Sequence, residues 1–139
     1  MEVIRTAQKQ DFKFLSKIFS LNIPKYFDKK ELYDFKKYFN SKNLESYFII
    51  ESQGKEVGGG GYAYENIKTA RICWLFIHPN YHGLGLGKKL VNHCVKILNN
   101  ETTRNQKIQL TVSIGWIIFI GYLTWWNGLK NPSLDKSFR

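Results

Sequence analysis

Apolar positions along the chain change their period several times, and each change predicts an element. Glu2 to Thr6 reads as a short first strand. Phe12, Leu15, Ile18 and Phe19 then recur at helical spacing. Asp11 stands just upstream, where an acid favours a helix start, and Pro24 closes that helix. Asp28-Lys29-Lys30-Glu31 has the form of a capping box. It opens a second helix with Leu32, Phe35 and Phe39 on one face, and Ser41-Lys42-Asn43 predicts a turn after it. Tyr47 to Glu51 reads as a strand, and Gln53-Gly54-Lys55 as a tight turn into another. That next strand carries Gly58 to Gly61, poor strand material. The run marks either a bulge or close approach, by another backbone or a ligand, or else a flexible linker. Val57 and Tyr62-Ala63-Tyr64 flank it with strand formers. Ile72 to Ile77 is continuously apolar, as in a strand buried on both faces, and His78-Pro79-Asn80 ends it. A glycine-rich turn follows, then a helix with Leu86, Leu90, Cys94 and Ile97 on one face, ended by Asn99-Asn100. Ile108 to Val112 alternates like a half-buried strand. The order is strand, two helices, three-strand meander, helix, strand, which predicts an α+β (mixed α/β) fold without internal repeats or domain boundaries.

The 139 residues fit one domain. Hydrophobic residues make up 43%, enough to build a core of that size. The N-terminal Met1-Glu2-Val3-Ile4-Arg5 lacks the basic-then-apolar layout of a secretory signal. The longest apolar stretch, Ile114 to Trp126, is interrupted by glycines and is short for a bilayer span. These features predict a soluble, cytoplasmic protein with no integral membrane segment. Two cysteines, Cys73 and Cys94, read as buried, reduced thiols. No Cys/His spacing resembles a zinc site, so no metal is expected. The net charge of +10 suits an anionic partner, whether nucleic acid, a membrane surface or a phosphorylated cofactor. Solvated helix faces account for most of the lysines, so charge alone does not choose.

The segment that carries chemistry is a strand, a turn and a helix: Ile72 to Ile77, His82 to Gly87, then Lys88 onward. A helix start has unpaired backbone N–H groups and partial positive charge. Glycines remove the side chains that would keep a phosphate away from those groups. Lys88 and Lys89 sit in the first turn, against the helix dipole, which suits either a nearby anion or plain solvation. A Walker loop fails here, since His82 falls at its first glycine and Lys89 at its hydroxyl. A dinucleotide fingerprint fails as well: started at Gly83 it ends on Lys88, and started at Gly85 it ends on Leu90.

A third pattern fits. His82-Gly83-Leu84-Gly85-Leu86-Gly87 resembles the Gln/Arg-x-x-Gly-x-Gly/Ala signature of the GNAT superfamily of acyl-CoA-dependent N-acyltransferases, with His82 at the Gln/Arg position. The approach Trp74 to Tyr81 and the glycine-rich Gly58–Gly61 strand are similar to that family too. The resemblance covers roughly Met1 to Val112 of a single domain spanning 1–139. It implies a central, mostly antiparallel sheet whose fourth and fifth strands splay apart. It also implies acetyl-CoA as cosubstrate. Pantetheine would pair with Leu75, Phe76 and Ile77. The pyrophosphate would lie on His82, Gly83, Leu84, Gly85, Leu86, Gly87 and Lys88. The acceptor amine would attack the thioester directly. Glu65, near the end of the third strand, is a candidate base, with His78 a weaker one, and Tyr122 is the nearest tyrosine for protonating the thiolate. The acceptor would be set by the loop Leu21 to Phe27 and by the C-terminal hairpin.

After Val112 the chain departs from that pattern. Ser113 to Trp126 is apolar all round, where the family has an amphipathic helix followed by two strands. Three readings are open: a shortened form in which a single strand completes the sheet, a second copy filling the gap as a homodimer, or membrane contact. The leading function is N-acetylation of a small molecule or peptide amine. The runner-up is a non-catalytic or decayed acyl-CoA-binding module. A nucleic-acid-binding domain comes third, because Phe12, Phe35 and Phe39 look like core instead of a stacking platform.

Overall fold

The computed structural model describes residues 1–25, 27–41, 44–66, 69–101, 107–110 and 132–134. In chain order the elements are β1 (Glu2–Thr6), α1 (Phe12–Leu21), α2 (Lys29–Ser41), β2 (Tyr47–Ser52), β3 (Lys55–Asn66), β4 (Thr69–Ile77), α3 (Leu86–Glu101), β5 (Lys107–Leu110) and β6 (Pro132–Leu134). The strands form one sheet in the order β1-β2-β3-β4-β5-β6. The first four pair antiparallel with one another. β5 runs parallel to β4, and β6 parallel to β5. The strip 113–126, Tyr122 within it, lies outside the described residues, as do Lys42, Asn43, Thr111 and Val112.

Local chemistry explains the boundaries. Gln53 and Gly54 both take positive φ, 52° and 80°. That is the geometry of a two-residue hairpin turn matched to strand twist, and it sets Ser52 opposite Lys55. The capping box opens α2 as expected: the Glu31 amide donates to Asp28 Oδ1 at 2.9 Å, and the Asp28 amide donates to Glu31 Oε1 at 3.2 Å. Asp11 stands at the start of α1 as expected, but its carboxylate makes no cap hydrogen bond there. It accepts instead from the Gln8 amide at 2.7 Å and from both terminal nitrogens of Arg5, each at 2.9 Å. The Arg5 fork is planar and matches two carboxylate oxygens at once, and its Nε donates to Glu51 on β2 at 2.8 Å.

The two faces of the sheet follow from the two-residue period of a strand. Tyr47 points to the face covered by α2, with its ring centroid 5.9 Å from both Phe35 and Phe39. The next residue, Phe48, points the other way and meets His93 of α3 at 4.6 Å. Phe19, Phe35, Phe39 and Phe76 are all fully buried on the α1/α2 side or within it. Burying a side chain of this size contributes roughly 1.5–3 kcal/mol each. On α3, Leu86, Leu90 and Cys94 are buried as expected, together with Val91, Val95 and Leu98, while Ile97 is only partly covered. Cys73 is half-buried and not fully enclosed, and both cysteines are free thiols.

Gly58 to Gly61 belong to β3 and pair with strands on both sides, so the linker reading is overturned. The glycines answer to space. A methyl group at Gly59 would come within 2.8 Å of Tyr47 Oη and 3.0 Å of its ring. At Gly61 it would meet the same ring at 2.9 Å, and at Gly58 the Phe76 carbonyl at 2.6 Å. Larger residues would push the sheet off its own core.

Candidate functional site

β4 is irregular at its centre. Gly61 faces Cys73 and Gly59 faces Phe76, so Trp74 and Leu75 together oppose Gly60. This two-against-one pairing is a β-bulge, which re-aims the chain around it. Trp74 holds φ at 51°, the left-handed region that a bulky residue rarely occupies. Its carbonyl leaves the ladder and accepts from Tyr47 Oη at 2.8 Å. A trans peptide aims the next N–H the opposite way, so the Leu75 amide points away from Tyr47. Among the described residues, β5 pairs with β4 over Thr69–Ile72. Beyond the bulge, Phe76 lies opposite Gly59 on β3 and the His78 amide donates to the Val57 carbonyl at 2.7 Å. Strand alternation therefore turns the polar groups of Leu75 and Ile77 away from β3.

At the end of β4 the backbone makes a 3₁₀ turn at Pro79–Tyr81. His78 Nδ1 accepts from the Asn80 amide at 3.1 Å, and its ring meets Tyr81 edge-on. A nitrogen engaged this way shapes the turn. The chain then enters the glycine turn, where Gly83 and Gly85 have φ of 80° and 78°. Open space surrounds the position of a Cβ at both, so conformation and not crowding demands glycine here. Leu84 between them is exposed. The backbone bond from the Lys89 amide to the Gly85 carbonyl, 3.1 Å, closes the first turn of α3. The Leu86 and Gly87 amides precede it, at the positive end of a 16-residue helix whose first turn has no acidic residue.

His82 ties this turn to the sheet. Its Nε2 lies 2.7 Å from the Ile77 carbonyl. A carbonyl can only accept, so Nε2 carries the hydrogen. Burial lowers the His82 pKa, partly opposed by that same bond. The Ile77 oxygen also accepts from Asn22 Nδ2 at 3.1 Å, and Asn22 Nδ2 donates to the Ile18 carbonyl at 2.9 Å. One oxygen thus joins the end of α1, the end of β4 and the glycine turn. Lys89 finds its anion within the chain, in an ion pair with the Glu2 carboxylate.

The structure therefore brings Leu75, Phe76, Ile77 and the residues from His82 to Lys88 together along one end of β4. Leu75, Phe76 and Ile77 are buried there. The carbonyl of Ile77 is already taken up by Asn22 and His82. The backbone of Glu65 lies on β3, but its side chain is outside the described residues. Sequence reasoning missed Tyr47, Asn22 and the inverted Trp74. Their only trace was the glycine run, which signalled that something passes close to β3. Among the described residues, no group of His, Cys, Asp or Glu is arranged to hold a metal ion. No helix among them is long and apolar enough to cross a membrane.

These features define a class: a mixed α/β sheet with a bulged fourth strand and a glycine-rich helix start at its end. Residues 12–115 match the family model described as acetyltransferase (GNAT) family, and the chain belongs to that family. No protein of curated function matches it in sequence. Among solved structures, it is similar to a GNAT family acetyltransferase from Brucella melitensis in complex with acetyl-CoA (18% identity, TM-score 0.68, 85% of this chain and 80% of the other). It is similar to SA2161 of meticillin-resistant Staphylococcus aureus (13% identity, TM-score 0.64, 94% of this chain and 90% of the other), and to Ard1 of Thermoplasma volcanium (17% identity, TM-score 0.55, 71% of this chain). The chain spans 64% of the length of that Ard1 and 36% of a similar Pyrococcus horikoshii structure. At these identities the likeness concerns the fold.

Proposed function

We propose that the chain is an N-acetyltransferase that moves an acetyl group from acetyl-CoA to a primary amine of a small molecule or peptide. The observation that carries this reading is the glycine turn, with Gly83 and Gly85 at positive φ on the N-terminus of α3. Amides of Gly83 to Lys88 receive the pyrophosphate; each hydrogen bond to a charged group contributes roughly 1.5–3 kcal/mol. Pantetheine lies along β4 and pairs with the outward groups of Leu75 and Ile77. Since the Ile77 carbonyl is occupied, its share falls to the Ile77 N–H.

The acceptor must arrive neutral. A lysine-like amine has a pKa near 10.4, so its deprotonation at pH 7 costs about 4.6 kcal/mol. A base offsets this cost, directly or through water; Glu65 is the proposed base. The amine nitrogen bonds to the thioester carbon and its lost proton goes to the base. Negative charge collects on the carbonyl oxygen, where the Leu75 N–H donates. The C–S bond then breaks and the thiolate takes a proton from Tyr122, the proposed acid. A non-catalytic acyl-CoA-binding module is the second reading. Its support is the apolar run Ser113 to Trp126, which lacks the polar face of the helix that carries a tyrosine in this family.

Calorimetry with acetyl-CoA on the wild type and on Gly85→Glu tests the proposal. Affinity near micromolar, lost in the variant, is the expected result. A folded wild type that binds neither acetyl-CoA nor CoA sinks both readings. Binding without turnover on a panel of amines selects the second.

A further inference from the structure

We infer that Tyr47 is a positioning residue that sets the β4 bulge, and so aims the Leu75 amide at the acyl carbonyl. This inference rests on the acyl-CoA reading above. The observations are geometric. Tyr47 has no exposed surface, and its one hydroxyl donates to the Trp74 carbonyl at 2.8 Å. Trp74 sits at φ 51°, a conformation disfavoured for any residue with a Cβ and more so for a bulky one. Left alone, it would relax to extended backbone and return its carbonyl to the ladder. The hydrogen bond from the buried Tyr47 hydroxyl holds it out. Burial pushes the Tyr47 phenol well up, which favours the protonated, donating hydroxyl.

Gly59 and Gly61 fit the same account. Both clear room for the Tyr47 ring beneath β3, since a methyl group at either would touch that ring within 3.0 Å. The ring is further held by Phe35, Tyr38 and Phe39, at centroid distances of 5.9 Å each. The hydroxyl therefore reaches from β2, under β3, to one carbonyl on β4. Tyr47 touches neither cofactor nor acceptor in this arrangement. It acts through the peptide between Trp74 and Leu75.

CoA and acetyl-CoA, compared by calorimetry, separate this role from a merely structural one. The two ligands differ by the acyl group, and one hydrogen bond to its carbonyl is expected to favour acetyl-CoA by about two- to tenfold. Tyr47→Phe keeps the ring and removes the hydroxyl. It is expected to bind CoA as the wild type does and to lose the preference for acetyl-CoA. Adding Trp74→Gly to that variant is expected to restore the preference in part, because glycine adopts positive φ without the penalty a Cβ brings. A Tyr47→Phe protein that keeps the preference overturns the inference and leaves the acyl-CoA reading standing. A loss that Trp74→Gly does not restore also overturns it. A wild type that binds neither ligand removes the acyl-CoA reading first. If Tyr47→Phe fails to fold, the Leu75 amide resonance of ¹⁵N-labelled wild type decides. Acetyl-CoA is expected to shift it relative to CoA, and an identical position with both ligands overturns the inference.

Discussion

Burial holds the His82 imidazole below the ordinary histidine pKa, and burial with Lys96 nearby does the same for His93. The unfolded chain therefore takes up protons first as the pH falls through about 6.5, and stability drops in that window. Thermal unfolding is expected at lower temperature on the acidic side, with a smaller pH slope in His82→Gln. An unchanged slope in that variant would place the titration elsewhere. Asp11 has the opposite shift. The Arg5 guanidinium, hydrogen-bonded to its carboxyl, holds that carboxyl below the usual range, against burial. Its stabilisation is present above about pH 3.9 and is lost as the pH falls through the lowered value. Asp11→Asn is expected to cost about 1–2 kcal/mol in urea unfolding at neutral pH, the low end for a charged pair because Arg5 is 33% exposed. Neither residue's partner was legible in the sequence. Spacing places Asp11 ahead of a helix, but whether its carboxylate turns to that helix or back to β1 depends on where Arg5 arrives in the fold.

Elements were far more legible than contacts. The capping box at Asp28, the turn at Gln53-Gly54 and the strand–turn–helix around His82 all rest on interactions within five residues, so their residue types carry the signal. The bulge in β4 does not. Trp74 is a good strand former, and nothing in its neighbours announces an inverted peptide; its cause is a hydroxyl 27 positions away. The glycine run by itself fits a linker as well as a close approach, and only the paired β2 and β4 decide it. At the glycine turn, conformation and charge make separable predictions. Gly85→Ala meets open space but forces φ 78° on a residue with a Cβ. It is expected to lower stability by about 1–2 kcal/mol without a clash. Circular-dichroism melts of this variant, beside the binding of Gly85→Glu, read the two effects apart. A stability equal to wild type would mean that the turn relaxes.

For the whole molecule, ligand binding and folding are one equilibrium. Acetyl-CoA at a hundred times its dissociation constant is expected to add about 2.7 kcal/mol. In a domain of this size that raises the melting temperature by roughly 5–10 °C. A flat melting temperature at saturating ligand would contradict the site. The net charge of +10 left nucleic acid as a third option. Such binding falls about a thousandfold or more between low and physiological salt, whereas a single cofactor with few charges is expected to lose far less. Phe35 and Phe39 are fully buried in the core and Phe12 packs against it, so these rings offer no stacking platform.

The shared oxygen of Ile77 has a bearing on how this chain tolerates change. Asn22 and His82 both bond to the same atom, though sixty positions of sequence separate them. Neither is free to vary by itself: a replacement at one alters what the other must supply. Substitutions at the two sites should be strongly non-additive in a double-mutant cycle. Relatives that carry a longer donor in the glycine turn should accordingly show a different residue at the end of the first helix.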